Sequence, residues 1–391
     1  MPTLRTLTEP DIPAVATLFG RVYPEHRWSS RAACEAYFHE TLFGNPWREL
    51  ELPSWIAEEG GRITGLCAVL PRAMRLAERP IRVAVNCQFM VDPDQRHGIT
   101  ALQLVKACIS GPQDLTLADG ATDQARRMWT ALGGSASLLY SLHWTRLVRP
   151  VRYLLSRRNG AASPALALAT RPFSAVADAL AARLPPNRFF GEAVELVETT
   201  LDPATMLDHM SEALRSYALR PTYDARSLSW LLEQAARKTR HGALRARAVR
   251  NGLGRLVGWY LYYLNAGGAS EVVQLVAING FYDSVLQRLL VDAWRGGAAA
   301  VRGRFDPPYA QELADRHCWS RTDGTWTLVH SRAPDIMAAL HQGTAFLSRL
   351  EGEWWLRFLG EEKATLGADR NRDDTVRYTR FTSSATSELN G

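Results

Sequence analysis

Apolar residues recur along this chain with two periods, near two and near 3.6, and the changes of period mark out short alternating elements. Residues 3–7 read as a strand, and Thr8-Glu9-Pro10-Asp11 then supplies a helix start with proline in its opening turn. Ile12, Val15, Ala16, Phe19 and Val22 recur at helical spacing. Ser29-Ser30 opens a second helix through Phe38 and Leu42, which Phe43-Gly44-Asn45-Pro46-Trp47 closes. Strands over 54–58 and 63–70 flank Glu59-Gly60-Gly61-Arg62, a hairpin signature because paired glycines accept positive φ. The β-branched run 81–91 predicts a long buried strand, and Ile99, Leu102, Leu104 and Val105 predict the helix behind it. A strand over 115–118, a helix over 122–132 and a closing strand over 138–144 complete this half.

The second half repeats the order. A strand over 194–198 is followed by helices over 203–217 and 225–238, a hairpin of 243–249 with 255–264 turning on Asn251-Gly252, and a long strand over 271–278. The helix 284–293, the strand 299–304 and the helix 308–316 then follow. The reading is therefore α/β (α+β), with two tandem units over 1–150 and 191–360, a basic, Ala-rich connector over 151–190 and a disordered tail over 361–391.

In the first half a strand ends at Asp92-Pro93 and must turn into a helix near Gly98, the one glycine between Asp94 and Thr100. Free N–H groups at a helix start attract phosphate oxygens, and Arg96 adds a full charge beside them. On these residues alone the turn is a basic strand-to-helix corner, with or without an anion.

These residues resemble the acyl-CoA site of GCN5-related N-acetyltransferases, whose signature is Q/R-x-x-G-x-G/A. Here it reads Gln95-Arg96-His97-Gly98-Ile99-Thr100, with Thr100 where glycine or alanine is usual. Alignment on Val91 and Pro93 instead puts Arg96 first and leaves the turn one residue short. The phrases WIAEEGGRITGLCAVLP and DQARRMWTALGG resemble the family in the same order over roughly the first 145 residues. The resemblance implies two tandem acetyltransferase-type domains, each a mixed, mostly antiparallel sheet flanked by helices. It also implies acetyl-CoA or another acyl-CoA held by Val91, Gln95, Arg96, His97, Gly98, Ile99 and Thr100.

The chemistry so implied is transfer of an acyl group from a thioester to an amine of a small biosynthetic acceptor, with a strand carboxylate as base and a helix tyrosine as acid. Asn86, Cys87 and Gln88 stand where the carboxylate is sought, and Trp129 where the tyrosine is common. The substitutes are Glu58, Asp92 and Tyr140, set against plainer readings as a solvated charge, a turn cap and a packed tyrosine. The second copy turns through Asn279-Gly280-Phe281-Tyr282-Asp283, without the basic residue, so acyl-CoA is expected in the first copy alone. Such a tandem resembles mycothiol-synthase-like enzymes and Fem-type aminoacyl transferases, in which the second copy shapes the acceptor site; Arg245 and Arg247 are the candidates for that task. Two alternatives stay open: a Fem-type transfer from aminoacyl-tRNA, with the basic middle on RNA backbone, and a module of this fold that binds without turnover.

Composition narrows the classes. The chain has 391 residues and a formal net charge of +6, but lysine occurs only at 106, 238 and 363. An arginine bias of that kind fits a GC-rich bacterial genome better than a nucleic-acid surface. The five cysteines are scattered without C-x-x-C or a Cys/His cluster, which points to a reducing compartment and no metal. The N-terminus lacks the apolar core of a signal peptide and the longest apolar run, 256–264, is too short to span a bilayer, so the expected location is the cytoplasm. Between Gln124 and Ala177 there is no acidic residue, and the stretch from Trp144 to Leu155 mixes apolar and basic residues. It reads as a connector whose leucines dock while its arginines stay in water, with peripheral membrane contact as the other reading.

Overall fold

The computed structural model describes residues 2–95, 99–158, 196–278 and 280–359. The Ala-rich part of the connector and the tail lie outside the described residues. The first half runs β1 (Thr3–Thr6), α1 (Ile12–Val22), α2 (Arg31–Leu42), β2 (Trp55–Glu59), β3 (Arg62–Leu76), β4 (Arg79–Val91), α3 (Thr100–Ile109), β5 (Leu115–Ala121), α4 (Asp123–Ala131), β6 (Ser135–Ser137), α5 (Leu138–Ser141), β7 (Leu142–Leu147) and α6 (Pro150–Arg158). The second runs β8 (Leu196–Thr200), α7 (Pro203–Ala213), β9 (Leu219–Pro221), α8 (Ala225–Ala236), β10 (Ala243–Asn251), β11 (Leu256–Leu264), β12 (Ala269–Ala277), α9 (Tyr282–Arg295), β13 (Ala300–Arg304), α10 (Ala310–Asp315), β14 (Trp319–Thr322), β15 (Trp326–His330) and α11 (Pro334–His341).

Local chemistry explains many of the boundaries. The Ser30, Thr122, Asp202 and Asp224 side chains each accept an N–H of the helix they precede, which satisfies a donor that the first turn leaves free. Gly60 and Gly61 both have positive φ, 59° and 72°, as the tight β2–β3 hairpin requires. β11 is buried on both faces, because Trp259, Leu261 and Tyr263 lie in the core shared with the arm while Val257, Tyr260 and Tyr262 pack under helix α9. Its tyrosines are packed, with Tyr262 donating to Asp292 at 2.7 Å and Tyr263 to the Ala235 carbonyl at 2.6 Å.

Two mixed, mostly antiparallel sheets result, each flanked by helices. The first has the order β1-β2-β3-β4-β5-β15-β6, with β9 added to β3; the second has β8-β10-β11-β12-β13-β7-β14. Among the described strands, β4–β5 and β12–β13 are the parallel pairs. The halves exchange one strand: β7 lies between β13 and β14, and β15 lies between β5 and β6.

This corrects the reading of 138–144 as the strand that closes the first unit. Those residues form the short helix α5 and the start of β7, which belongs to the second sheet. An apolar run of this length does not reveal its partner, because periodicity records burial and not address. The connector is corrected as well. Trp144 and Val148 are buried, but so is Arg146, and Arg149 donates to the Ala298 carbonyl at 2.8 Å over the Trp294 ring, while Leu154 is exposed. Among the described residues no helix is long and apolar enough to cross a membrane.

The main hydrophobic core crosses between the sheets, joining Leu66, Val85, Trp259 and Val273 to Phe346, Leu350 and Trp355. The last three belong to an arm, residues 344–358, that follows α11 and lies between the two sheets.

Candidate functional site

β4 pairs with β5 only from Val83 to Val85, after which the two strands run on unpaired with each other. The opening begins at Asn86, whose buried amide has no partner on either atom among the described residues. Against β3 the register slips between Leu66 and Ala68, which marks a bulge on β4, and Gln88 takes a φ of +52°. A non-glycine residue in that region is strained, and bulges of this kind re-aim backbone and side chain. The Gln88 N–H is aimed at a carboxylate, Glu353 Oε2, at 3.2 Å, and its side-chain amide donates to Tyr37 Oη at 2.7 Å.

The arm brings Glu353 to this point. Its N–H donates to Asp119 Oδ1 at 2.6 Å, and Asp119 is buried on β5 in an ion pair with Arg304 of β13 at 2.7 Å. Gly352 fits because it has no side chain: a Cβ there would lie 2.2 Å from Asp119 Oδ2. Burial, and then the charge of Asp119, hold the Glu353 carboxyl well above the ordinary range, while the Gln88 N–H and Lys238 pull it down. Burial together with Glu353 likewise pushes the Cys87 thiol well up, which suits a packing residue rather than a nucleophile.

At the equivalent opening in the second sheet, between β12 and β13, Phe346 and Leu347 of the arm are buried and line a cavity of about 30 Å³ with Gln274, Arg304 and Asp306, among others, which is room for about one water.

Asp306 accepts from Tyr217 at 2.6 Å, and burial pushes its carboxyl from the usual 3.8 up to about 7. The folded chain therefore holds this proton more tightly than the unfolded chain does. The resulting stability is complete below the unfolded value and is lost as pH rises through about 7. Relative to Asp306→Asn, the wild-type chain is expected to lose about 1–3 kcal/mol between about pH 4 and pH 8, a range discounted for the part-exposed carboxyl. Urea unfolding of both chains across that range measures it, and a constant difference would refute it.

The residues singled out from sequence are dispersed. Glu58 accepts from Arg5 at 2.7 Å at the β2 end. Asp92 is fully buried, paired with Arg21, and accepts the Asp94 N–H at 3.1 Å, so it caps the turn after β4. Tyr140, on α5, donates to the Ala345 carbonyl at 2.7 Å and accepts the Ala345 N–H at 2.9 Å, and burial raises its hydroxyl. It anchors the arm. Val91 is buried, Gln95 donates to Glu59 at 2.7 Å, Ile99 is exposed and Thr100 is buried at the start of α3. Arg96, His97 and Gly98 lie outside the described residues. Arg245 pairs with Asp292 of α9 at 2.9 Å, and Arg247, two residues on, shares that face of the second sheet. It is the face opposite the arm, which packs with Trp259, Tyr263 and Val273.

Sequence reading sought a carboxylate on the central strand and did not find Glu353, Asp119 or the bulge at Gln88. The available signal was the run from Arg349 to Arg357, where Arg349, Glu351, Glu353 and Arg357 surround the adjacent Trp354 and Trp355.

No family model matches the chain, and no curated protein matches it. Solved structures do. A probable N-acyltransferase from Enterococcus faecalis V583 superposes with a TM-score of 0.55 at 10% identity, over 85% of this chain and 73% of that one. GCN5-related N-acetyltransferases from Kribbella flavida and Anabaena variabilis each give 0.53, at 13% and 10% identity, over 87% and 84% of this chain and 74% and 72% of theirs. At such identities the likeness shows the fold, which is that of the GCN5-related acetyltransferases, carried here in tandem.

Proposed function

We propose that the protein is an acyl-CoA-dependent N-acyltransferase that holds the thioester in the opening between β4 and β5 and acts on the amine of a small biosynthetic acceptor. The observation that carries this reading is the Gln88 N–H, turned by a strained bulge into an opening where β4 has left its parallel partner. A thioester oxygen on that N–H would have its developing charge stabilised by a donor already in place. The amides at the α3 start and the basic segment before it, Gln95 to Thr100, with Val91 at the strand end, would take the pyrophosphate.

One observation favours a second reading, a module that binds without turnover: Glu353 already occupies the Gln88 donor. The two are separated by adding acetyl-CoA to the purified protein. At a hundredfold excess over Kd, binding is expected to stabilise the fold by about 2.7 kcal/mol, and Gly98→Val to abolish that gain without altering the ligand-free melt, since a side chain would block backbone approach. Thiol release with a panel of small amines supports transfer. Stabilisation without release from any amine supports the module, and no stabilisation of the wild-type chain overturns both.

A further inference from the structure

The arm that carries Glu353 is a seated element. Beyond the two Tyr140 bonds at Ala345, Arg349 pairs with Glu271 at 2.6 Å and Ser348 N–H donates to Glu351 at 2.6 Å. Trp355 is buried and donates to the Gly352 carbonyl at 2.8 Å, and Phe358 packs edge-on against Phe19 and Tyr23 of the first half. With the backbone so fixed, the Glu353 side chain is the part free to exchange partners. The Gln88 N–H can serve one strong acceptor at a time.

We infer that Glu353 is the proton carrier of the acyl site: it holds the Gln88 amide while the site is empty, yields it to the acyl carbonyl, takes up a proton and delivers it to the departing sulfur. This rests on the acyltransferase reading. The groups facing Glu353 are Cys87 on β4, Asp119 on β5, itself paired with Arg304 of β13, and Lys238 after α8. Once the Gln88 N–H is lost to the acyl oxygen, the buried carboxylate beside Asp119 has lost a stabilising donor, and protonation relieves the repulsion. The neutral acceptor nitrogen then attacks the carbonyl carbon, a C–N bond forms and the C–S bond breaks. The Glu353 proton goes to the thiolate, and the proton shed by nitrogen goes to water. Glu353 ends as a carboxylate and takes back the Gln88 N–H, so protons balance over the cycle.

The test is calorimetric titration of acetyl-CoA into the intact protein at neutral pH in two buffers of different ionisation enthalpy. Net proton uptake is expected with acetyl-CoA, and almost none with coenzyme A, which lacks the thioester carbonyl that competes for the amide. Glu353→Gln keeps an oxygen that can accept the Gln88 N–H, so the variant is expected to fold and to bind acetyl-CoA without proton uptake. Its turnover should fall by roughly a hundredfold. Equal proton uptake in wild type and variant overturns the inference and leaves the acyltransferase reading standing. Failure of the wild-type chain to bind acetyl-CoA overturns both.

Discussion

Residues 1–150 expressed alone are expected to yield no soluble monomer. The fragment retains β5 and β6 but lacks β15, which sits between them, and it carries β7 without either of its neighbours β13 and β14. The open edge of β5 and the isolated β7 present unpaired N–H and C=O groups, which recruit strands from other chains. Trp144 and Val148, buried against the second half, would be bared as well. Appending residues 324–332 through a flexible linker, with 142–150 removed, is expected to recover soluble protein, because it restores the missing strand and deletes the orphan. Soluble yield and size-exclusion elution measure both outcomes. A soluble, cooperatively melting 1–150 fragment would show that the exchanged strands are dispensable.

Asp119→Ala is expected to cost about 3–5 kcal/mol, because it strands the Arg304 charge in the interior between the two sheets. Arg304 has one carboxylate contact among the described residues, Asp119, and its other hydrogen bonds go to the Leu347 and Ser348 carbonyls of the arm at 3.4 and 3.3 Å. Removal of Asp119 also frees the Glu353 N–H. The double variant Asp119→Leu with Arg304→Met is expected to recover most of the loss, since a buried pair replaced by apolar residues leaves no uncompensated charge. Urea midpoints of the three chains decide it. A single-variant loss below about 1 kcal/mol would mean that Arg304 finds water.

Where a short stretch of chain decides its own conformation, the sequence reading and the structure agree. The Gly60-Gly61 turn, the helix start at Ser30 and the buried strand β4 are local events, set by backbone freedom, one side-chain acceptor or a β-branched run. The tandem pattern of two sheets was legible for the same reason. Partner choice was not. β7 and β15 are ordinary strands whose sheets are decided by contacts far along the chain, and α5 is too short for its period to separate it from a strand. The site was legible only in part, because a carboxylate at the end of an aperiodic arm reads as a solvated charge. Glu353 becomes distinctive only when Gln88 and Asp119, remote in sequence, meet it.

The exchange of β7 and β15 also sets a timetable for the nascent chain. The edge of β5 that receives β15 leaves the ribosome about two hundred residues before its partner, which at 5–20 residues per second is a delay of roughly 10–40 s. The first sheet therefore cannot close during synthesis of its own half, and its edge stays open while the whole second half is made. Slower elongation lengthens that exposure instead of giving the first half time to finish. Yield in a cell should then depend on holdase supply at that edge more than on the final stability of the fold.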